Sequence, residues 1–404
     1  MTSNRGINAD RLWSTIMASA EIGKGPRGGI CRLTLTDSDK AVRDLVAGWA
    51  KAAGWHLDID RLGSMFITRK GREPSLPPVL VGSHLDTQAA GGRFDGILGV
   101  MAGLEILRTL DDLGLETRRS IEVVNWTNEE GARFQPPMLC SLAFAGKATA
   151  EWVLDRTDKE GRRFADELSR IGYAGSAAVG GRPIDAYFEL HIEQGPKLDA
   201  ARIPLGVVVG GFPTAGMRIE IRGRTSHVGP TPMEQRRNAL VAAAHVAVAI
   251  DDIGWRYSAG EGKTTAARLD LWPNLPGILS ERATLYCDLR HPDAGALDRM
   301  LAEVATALPD CARRGRCEVE IAERWGFGGF SFDSGLISLI REAATRRGIA
   351  TMDIKSEAGH DAYHMASICP TAMIFTPCKD GISHNEAEDM ALADAAPGAN
   401  VLLD

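Results

Sequence analysis

The most constraining feature of this sequence is a hydrophobic pattern that changes twice along the chain. In the first half, short apolar runs typical of buried strands alternate with stretches of helical periodicity. In the middle, apolar and polar residues alternate one by one, as they do in half-exposed strands. Towards the C terminus, a helix and an apolar run follow again. The pattern therefore predicts an α/β domain that is interrupted by a smaller α+β domain.

Three apolar runs of the first part predict buried strands: residues 77–84 (PPVLVGSH), 120–127 (SIEVVNWT) and 186–195 (AYFELHIEQG). Between the first two, apolar residues recur at helical spacing from Ile97 to Leu107, and Gly114 marks the end of that helix. Residues 371–377 (TAMIFTP) predict a further strand, after a helix at Gly335–Arg347. Alternating strands and helices of this kind favour a mostly parallel central sheet.

The middle of the chain predicts a separate domain. Its strands are expected at 217–223, 284–290 and 317–323, with helices near 232–250 and 294–308. The glycine-rich stretch at 326–330 (GFGGF) suits a hinge back to the first domain. We therefore predict a discontinuous domain of residues 1–211 and 327–404, with 212–326 as the insert.

Charge and composition restrict the classes of partner. The net charge is −7 and no Lys/Arg block stands out, which argues against nucleic-acid and membrane-surface partners. No apolar run approaches the roughly 18–20 residues that span a bilayer, and the N-terminal residues carry no leader-like pattern. Seven scattered cysteines without a CxxC pair are typical of buried thiols in a reducing compartment. We expect a cytoplasmic protein.

Potential metal ligands are concentrated at the predicted strand ends, which is where α/β sheets gather active-site groups. Histidine with carboxylate is a suitable ligand set for Zn²⁺ and similar ions. A further candidate lies near the C terminus, in the segment GISHNEAED. The candidates are His84 with Asp86, Asp95, Glu129 with Glu130, His191, and His384.

The spacing of these residues suggests how they could divide the work. His84 can bind a metal while Asp86, two residues later, hydrogen-bonds its other ring nitrogen. Adjacent glutamates diverge, so one of Glu129 and Glu130 can ligate while the other acts as a general base. Asp95 lies in a glycine-flanked turn (GGRFDG), where one carboxylate could bridge two metals about 3.5–4 Å apart.

Each feature also has a structural explanation. A histidine at a strand end is commonly a satisfied core residue, and a glutamate pair after a strand is commonly a solvated turn. The glycine-rich stretch could pass as a phosphate loop, but it lacks both GxGxxG and GK[ST]. All of these explanations would have to hold at once, and that coincidence favours the metal site.

Five motifs in order carry a family resemblance: GSHLDTQAAGGRFDGILGV, NWTNEEGARF, ELHIEQGP, GRTSHVGPTPM and KDGISHNEAED. With them, the chain resembles the amidase, hydantoinase/carbamoylase family of the dinuclear-zinc peptidase M20 superfamily. That family includes N-carbamoyl-L-amino-acid hydrolases, β-ureidopropionases (β-alanine synthases) and allantoate amidohydrolases. The resemblance extends from about residue 20 to the C terminus.

The resemblance implies a di-zinc exopeptidase-like catalytic domain with specific metal-site roles. One metal would be bound by His84 and His191, the other by Glu130 and His384, and Asp95 would bridge them. Glu129 would be the general base, and Asp86 would support the site. The resemblance further implies a cis peptide bond between Asp95 and Gly96.

The resemblance also implies a role for the insert and a substrate pocket. The insert would be a lid and dimerisation domain of a homodimer, whose His227 reaches the partner subunit's site and stabilises the oxyanion. Arg290, in CDLRHPD, would bind the substrate carboxylate, which suits a planar bidentate cation. Further expected substrate contacts are Asn274, Gln194, Gly359, His360 and Ser383. Asn274 lies in a motif, WPNLPG, that departs from the family pattern.

The implied reaction is metal-dependent hydrolysis of an N-carbamoyl-L-amino acid or N-carbamoyl-β-alanine to the amino acid, ammonia and carbon dioxide. Two divalent ions are expected, with Zn²⁺ ahead of Mn²⁺, Co²⁺ and Ni²⁺. The alternatives are an allantoate amidohydrolase and an M20-type dipeptidase or aminoacylase. From a different class, the alternative is a catalytically silent metal- or ligand-binding protein on the same fold.

Overall fold

The computed structural model describes residues 5–404 and divides into two compact units. The first unit consists of the chain up to Val209 together with Ser331–Asp404, and the second is Gly210–Phe330. Each unit is built around its own β-sheet.

The first part of the chain forms most of the first unit. Its strands up to the insert are β1 (His56–Ile59), β2 (Met65–Arg69), β3 (Val79–His84), β4 (Ile121–Trp126), β5 (Ala186–Ile192) and β6 (Leu205–Gly211). The helices of this part are α1 (Ala9–Ala20), α2 (Asp37–Ala53), α3 (Ile97–Asp112), α4 (Leu139–Phe144), α5 (Ala150–Leu154), α6 (Phe164–Arg170) and α7 (Lys197–Ala201).

The second unit follows and the chain then returns to the first. The second unit contains β7 (Thr214–Arg222), α8 (Ala239–Tyr257), β8 (Lys263–Trp272), β9 (Arg282–Arg290), α9 (Ala294–Gly315) and β10 (Glu318–Phe327). The remaining elements of the first unit are α10 (Ser334–Arg346), β11 (Thr351–Ser356), α11 (Ala362–Met365), β12 (Thr371–Thr376) and α12 (Leu392–Leu403).

The sheet of the first unit has eight strands in the order β1-β2-β4-β3-β5-β12-β6-β11. Parallel pairs lie at its centre, where β3 pairs with β4 and β5, and β12 pairs with β5. The pairs β1–β2, β2–β4 and β6–β12 are antiparallel. The prediction of a mostly parallel sheet was therefore wrong, and the sheet is mixed. Only a few residues separate β1 from β2, and so short a connection allows a hairpin but no crossover.

The central strands and the helix between them explain the apolar runs in the sequence. All six residues of β12 are buried, as are nearly all residues of α3. α3 follows β3 directly and packs against β3, β4 and β5. Because both faces of the sheet centre are covered, its strands read as continuous hydrophobic segments rather than as alternating ones.

The second unit is a four-stranded antiparallel sheet in the order β10-β7-β9-β8, with α8 and α9 packed together. Inward residues of β7 and β9 form one core with the apolar faces of the two helices. The helix predicted from 232 begins at Ala239, after a short 3₁₀ turn at Met233–Gln235, and the Asn238 side chain accepts a hydrogen bond from the Leu240 N–H at its start. β8 was not predicted. It is exposed along nearly its whole length, so its sequence does not show the alternation of a half-buried strand.

Two expectations concern the chain as a whole. All seven cysteines are unpaired, and six of them are buried, with Cys31 the exposed one. Among residues 5–404, no helix is both long enough and apolar enough to cross a membrane.

Candidate metal centre

The predicted ligands come together at one edge of the first unit's sheet, where the parallel central strands end. His84 is the last residue of β3 and lies opposite Trp126, the last residue of β4, after which the chain turns into Glu129 and Glu130. His191 lies near the end of β5, opposite Phe375 of β12. Parallel strands present their carboxyl ends at one edge, so residues far apart in sequence meet there.

Three buried side chains form the first ligand group: His84, Asp95 and His191. The Nε2 atom of His191 lies 3.2 Å from Oδ1 of Asp95, and the Nε2 atom of His84 lies 3.8 Å from the same oxygen. Two imidazole nitrogens and one carboxylate oxygen therefore converge on one point.

A second group uses the other oxygen of the same aspartate. The Nε2 atom of His384 lies 3.3 Å from Oδ2 of Asp95 and 3.3 Å from Oε2 of Glu130. The glutamate is buried, whereas the histidine side chain is half exposed. Asp95 thus belongs to both groups, with one oxygen directed to each, as a bridging ligand requires.

The orientation of the two buried histidine rings suits metal binding through Nε2. The Nδ1 atom of His84 lies 2.9 Å from the backbone oxygen of Asp86, and that of His191 lies 2.8 Å from the backbone oxygen of Ile192. If each Nδ1–H donates to its carbonyl, each Nε2 keeps a lone pair that could bind an ion, and in His191 this lone pair accepts a hydrogen bond from the Gly96 N–H at 3.2 Å.

Asp86 contacts both the His84 ring and the glutamate pair. Its carboxylate is 3.9 Å from the His84 Nδ1 atom, beyond hydrogen-bonding distance, because the carbonyl of the same residue occupies that position. The carboxylate oxygens instead accept hydrogen bonds from the backbone N–H groups of Glu129 and Glu130, each at 3.3 Å. Asp86 therefore contacts the second ring nitrogen of His84 as predicted, but through its backbone carbonyl, and its carboxylate orients the glutamate pair.

The two glutamates have different environments. Glu130 accepts hydrogen bonds from the Gln88 backbone N–H at 3.0 Å and side-chain amide at 2.8 Å, which fixes its carboxylate beside His384. Glu129 lies 3.6 Å from the His84 Nε2 atom. Burial, together with the nearby carboxylates of Asp361 and Glu130, raises the pKa of Glu129 well above its usual range. A carboxylate with a raised pKa accepts a proton more readily, as a general base must. This role of Gln88 was not predicted, because no pattern in the sequence singles out this residue.

Electrostatic interactions around Asp95 favour cationic partners. Burial opposes ionisation of Asp95, but the hydrogen bonds from His191 and His384 outweigh it and lower its pKa well below the usual range. Burial likewise disfavours the protonated form of His191, yet the Asp95 carboxylate raises its pKa to about 9. Such a cluster of negative charge attracts divalent cations, and a cation must displace the histidine protons to bind.

Gly96 lies against the first ligand group, beside the ring of His84. It has a positive φ of 69°, and a Cβ at this position would lie 2.3 Å from the Nε2 atom of His84. The space around this lone pair therefore exists because residue 96 lacks a side chain. The cis peptide bonds of residues 5–404 are Gln135–Pro136 and Trp272–Pro273. The predicted cis bond between Asp95 and Gly96 was therefore wrong, and the positive φ of Gly96 makes the turn.

Three non-glycine residues next to or within the ligand set also have a left-handed backbone. They are Asn128 (φ 59°), Gln194 (φ 58°) and His384 (φ 52°). Such conformations cost of order 1–3 kcal/mol each and persist where the surroundings enforce them. Asn128 is fixed by its side-chain amide, which donates to the Phe134 carbonyl at 2.9 Å.

The other residues predicted in the first unit lie around the same site. The Gln194 amide and the Ser383 hydroxyl each lie 2.8 Å from Oδ2 of Asp95. His360 is buried, and its ring packs against His191 with centroids 4.5 Å apart, while Gly359 beside it is half-buried. The predicted substrate contacts Gln194 and Ser383 therefore contact the carboxylate of Asp95.

A third group of potential ligands, Glu189, His191 and His360, is close to the first. Glu189 already accepts hydrogen bonds from the Ser83 hydroxyl at 2.6 Å, the Tyr187 hydroxyl at 3.0 Å and the Ala362 N–H at 3.1 Å. Its oxygens are satisfied by protein donors, so this group supports the sheet behind His191.

The remaining predicted residues lie in the second unit. His227 is exposed, and its Nδ1 atom accepts a hydrogen bond from the Gly229 N–H at 3.0 Å, which leaves Nε2 outward. Asn274 is exposed in the loop after β8. Arg290 ends β9 and contacts both carboxylate oxygens of Asp288, at 2.6 Å and 3.3 Å. The guanidinium is thus held in a fixed orientation.

Comparisons with known proteins show which proteins this chain is similar to. Residues 80–404 match the model of peptidase family M20/M25/M40. An N-carbamoyl-L-amino-acid amidohydrolase of Rhizobium meliloti is 44% identical over 402 residues, which cover 99% of this chain and 96% of that protein. An N-carbamoyl-L-amino acid amidohydrolase of Geobacillus stearothermophilus is 34% identical over 400 residues, covering 98% and 97%. The crystal structure of an amidase of the hydantoinase/carbamoylase family from Burkholderia vietnamiensis is 44% identical and superimposes with a TM-score of 0.95, covering 100% of this chain and 97% of that one.

Proposed function

The chain belongs to peptidase family M20/M25/M40, as its motifs predicted, and we propose that it hydrolyses the carbamoyl C–N bond of N-carbamoyl-L-amino acids. It is a metal-dependent hydrolase by family. The observation that carries the two-metal part of the proposal is the shared carboxylate of Asp95, with His191 3.2 Å from one oxygen and His384 3.3 Å from the other. The substrate part rests on the names of the relatives.

The residues present fit two divalent ions. His84 and His191 would bind one, Glu130 and His384 the other, and Asp95 would bridge them. When bound, the ions would lower the pKa of water and polarise the carbamoyl oxygen. Zn²⁺ suits a mixed histidine and carboxylate set, and Mn²⁺, Co²⁺ and Ni²⁺ suit it as well.

The protein groups around the ions supply the proton transfers. Glu129 accepts the proton of the attacking water and then delivers it to the leaving nitrogen. The Asp86 carboxylate orients this base through the backbone N–H groups of both glutamates. The products are the free amino acid, ammonia and carbon dioxide. This division of roles explains why only one of two adjacent glutamates faces His384.

We further propose roles in the reaction for residues of the second unit. We assign Arg290 to the substrate carboxylate, since a planar guanidinium can bind both oxygens of a carboxylate at once. We assign His227 to the oxyanion that forms at the carbamoyl carbon. Asn274, Gln194, Gly359, His360 and Ser383 remain proposed pocket residues. In this proposal residues 1–211 with 327–404 are the catalytic domain and 212–326 the lid.

We also propose a homodimer formed through the lid. β8 is an edge strand whose residues are almost all exposed, and it carries the exposed side chains of Leu269 and Trp272. The neighbouring helix α8 exposes Val248 and Trp255, the latter at 73%. An open edge strand beside exposed apolar side chains is suited to pairing with a second copy of the chain. His227 would then act in the site of the partner subunit.

A substrate panel tests the proposed reaction. The metal-loaded protein is incubated with N-carbamoyl-L-amino acids, N-carbamoyl-β-alanine, allantoate, N-acetyl amino acids and dipeptides, and released ammonia and amino acid are measured. Each reaction is repeated with the Glu129→Gln variant, which controls for contaminating enzymes. We expect N-carbamoyl-L-amino acids to give the highest kcat/KM. A preference for allantoate or cleavage of dipeptides alone would contradict the substrate assignment. Metal binding without turnover of any substrate would indicate a silent binding protein.

A further inference from the structure

One buried carboxyl group at the site, that of Glu388, has no part in the proposed mechanism. Its side chain is 1% exposed. Its Oε1 atom accepts hydrogen bonds from the backbone N–H groups of Phe94 at 2.9 Å and Asp95 at 3.1 Å. Glu388 therefore fixes the backbone of the turn that carries the bridging ligand.

The second oxygen of Glu388 contacts the segment that carries His384. Its Oε2 atom lies 2.8 Å from the Ser383 hydroxyl, which in turn lies 2.8 Å from Oδ2 of Asp95. His384 itself is half exposed and has a left-handed backbone (φ 52°). Because half of this side chain is exposed, its position depends in part on the residues that hold the preceding serine.

The glycine turn is shaped to admit this carboxyl group. A Cβ at Gly92 would lie 2.0 Å from both Oε1 and Cδ of Glu388. The backbone of the turn therefore folds directly against the carboxyl, and a side chain at residue 92 would displace it. This close approach is independent of the hydrogen bonds and indicates the same pairing of the two segments.

Neighbouring carboxylates of the same segment have other partners. Glu386 accepts a hydrogen bond from the Arg27 N–H at 2.7 Å, and Asp389 forms an ion pair with Arg93 at 2.7 Å. The Asp389–Arg93 pair also connects the two segments, but both side chains are substantially exposed. Exposed ion pairs contribute little to the rigidity of a site, so Asp389 provides a matched control for Glu388.

We infer that Glu388 is a positioning residue for the two-metal site: it ties the turn carrying Asp95 to the segment carrying His384, so that the ion shared by Asp95, Glu130 and His384 finds its ligands preassembled. The inference rests on the proposed two-metal function. The ion at His84 and His191 depends less on Glu388, because both of these histidines are buried and their rings are fixed by backbone carbonyls. Loss of the Glu388 carboxyl should therefore weaken the binding of the ion at Asp95, Glu130 and His384 more than the binding of the other ion.

The test compares two replacements of similar size. Glu388→Gln keeps an oxygen for the Phe94 and Asp95 N–H groups and gains an amide that can donate to Ser383, whereas Glu388→Met keeps none of these bonds. Each variant is loaded with Zn²⁺, dialysed against a graded chelator buffer, and assayed for bound metal per chain. We expect Glu388→Met to bind one of its two ions roughly 10–100-fold more weakly than wild type, the usual effect of losing a group that orients ligands. Glu388→Gln and the control Asp389→Ala should retain both ions.

The outcomes separate the two proposals. A wild-type chain that binds fewer than two ions would overturn the two-metal site and the role of Glu388 with it. If wild type binds two ions and Glu388→Met binds both with unchanged affinity, only the role of Glu388 is overturned. An equal loss in Glu388→Gln would also overturn it, since the hydrogen bonds are then irrelevant. If circular dichroism shows that Glu388→Met does not fold, Ser383→Ala decides, with selective weakening of one ion supporting the inference and wild-type affinity refuting it.

Discussion

Replacing Gly96 with alanine should remove metal and activity together, because of where the new methyl group lies. The added Cβ would be 2.3 Å from Nε2 of His84 and 2.4 Å from the two ring carbons beside it. Non-bonded carbon contacts are comfortable at about 3.5–4.0 Å, so the ring or the turn must shift by about 1 Å. The atom that is displaced is the one proposed to bind the ion.

Two costs can be separated. An alanine at φ 69° and ψ −40° has a strained backbone. This strain costs of order 1–3 kcal/mol and lowers the free energy of unfolding. The displacement of a metal ligand by about 1 Å affects catalysis, since misplacements of that size lower the reaction rate about 10²-fold. We therefore expect a modest fall in Tm together with a roughly 100-fold or greater loss of kcat/KM and loss of the ion at His84 and His191.

The matched control is Gly114→Ala, near the other end of the same helix. Gly114 has a φ of 59°, and nothing lies within 4 Å of a Cβ there, so the backbone strain is present without the clash. Metal content, Tm, and kcat/KM on an N-carbamoyl-L-amino acid are measured for both variants. Loss of activity in both variants to the same extent, or two tightly bound ions and near-wild-type kcat/KM in Gly96→Ala, would refute the reasoning.

Four further predictions follow from the site. Glu129→Gln should lower kcat by about 10²–10⁴-fold with unchanged metal content, and survival of activity would exclude Glu129 as the base. His227→Ala should lose most activity and keep its metal, and mixing it with a metal-ligand variant should partly restore turnover if sites are shared between subunits; failure to restore it would contradict sharing. Arg290→Lys should raise KM by about 10–100-fold, because a charge-assisted bidentate contact of about 1.5–3 kcal/mol is lost, and an effect on kcat alone would contradict a role in binding the carboxylate. In protein freed of metal by a chelator, the Asp95 carboxylate raises the pKa of His191 from 6.5 to about 9. The pairing of these two residues should therefore stabilise the fold fully below pH 6.5, and this contribution should be lost as the pH rises through 9. A Tm that does not fall between pH 6.5 and pH 9 would contradict this prediction.

The positions of the clustered histidine and carboxylate side chains were predictable because they coincide with local patterns. His84 and His191 each lie at the end of an apolar run, and Glu129 follows another. A strand that is buried on both faces is visible in sequence, and so is the point where it stops. The direction of every strand was less accessible, since β6 lies beside β12 and β11 lies beside β6 only through contacts between distant parts of the chain.

The residues that hold the candidate ligands in place were not predictable, because they do not coincide with any local pattern. Glu388 belongs to a stretch with several acidic residues, NEAED, which by composition resembles a solvated loop. Its burial arises from a contact with Phe94, 294 positions earlier. Asp86 was predicted to contact the His84 ring, and it does so through its carbonyl, while its carboxylate accepts a hydrogen bond from the Glu129 N–H. Sequence spacing places the residue near the ring but cannot decide which of its oxygens faces that ring.

The central position of β12 also has a consequence for how the protein is made. Residues 371–376 lie between β5 and β6, and the two strands therefore leave the ribosome without the neighbour that joins them. At translation rates of about 5–20 residues per second, the interval between Gly211 and Thr376 is on the order of 10–30 s. During that time the nascent chain presents two unpaired strand edges, which are sites of aggregation. A chain released before residue 371 would lack β12, and the edges of β5 and β6 that pair with it would stay exposed.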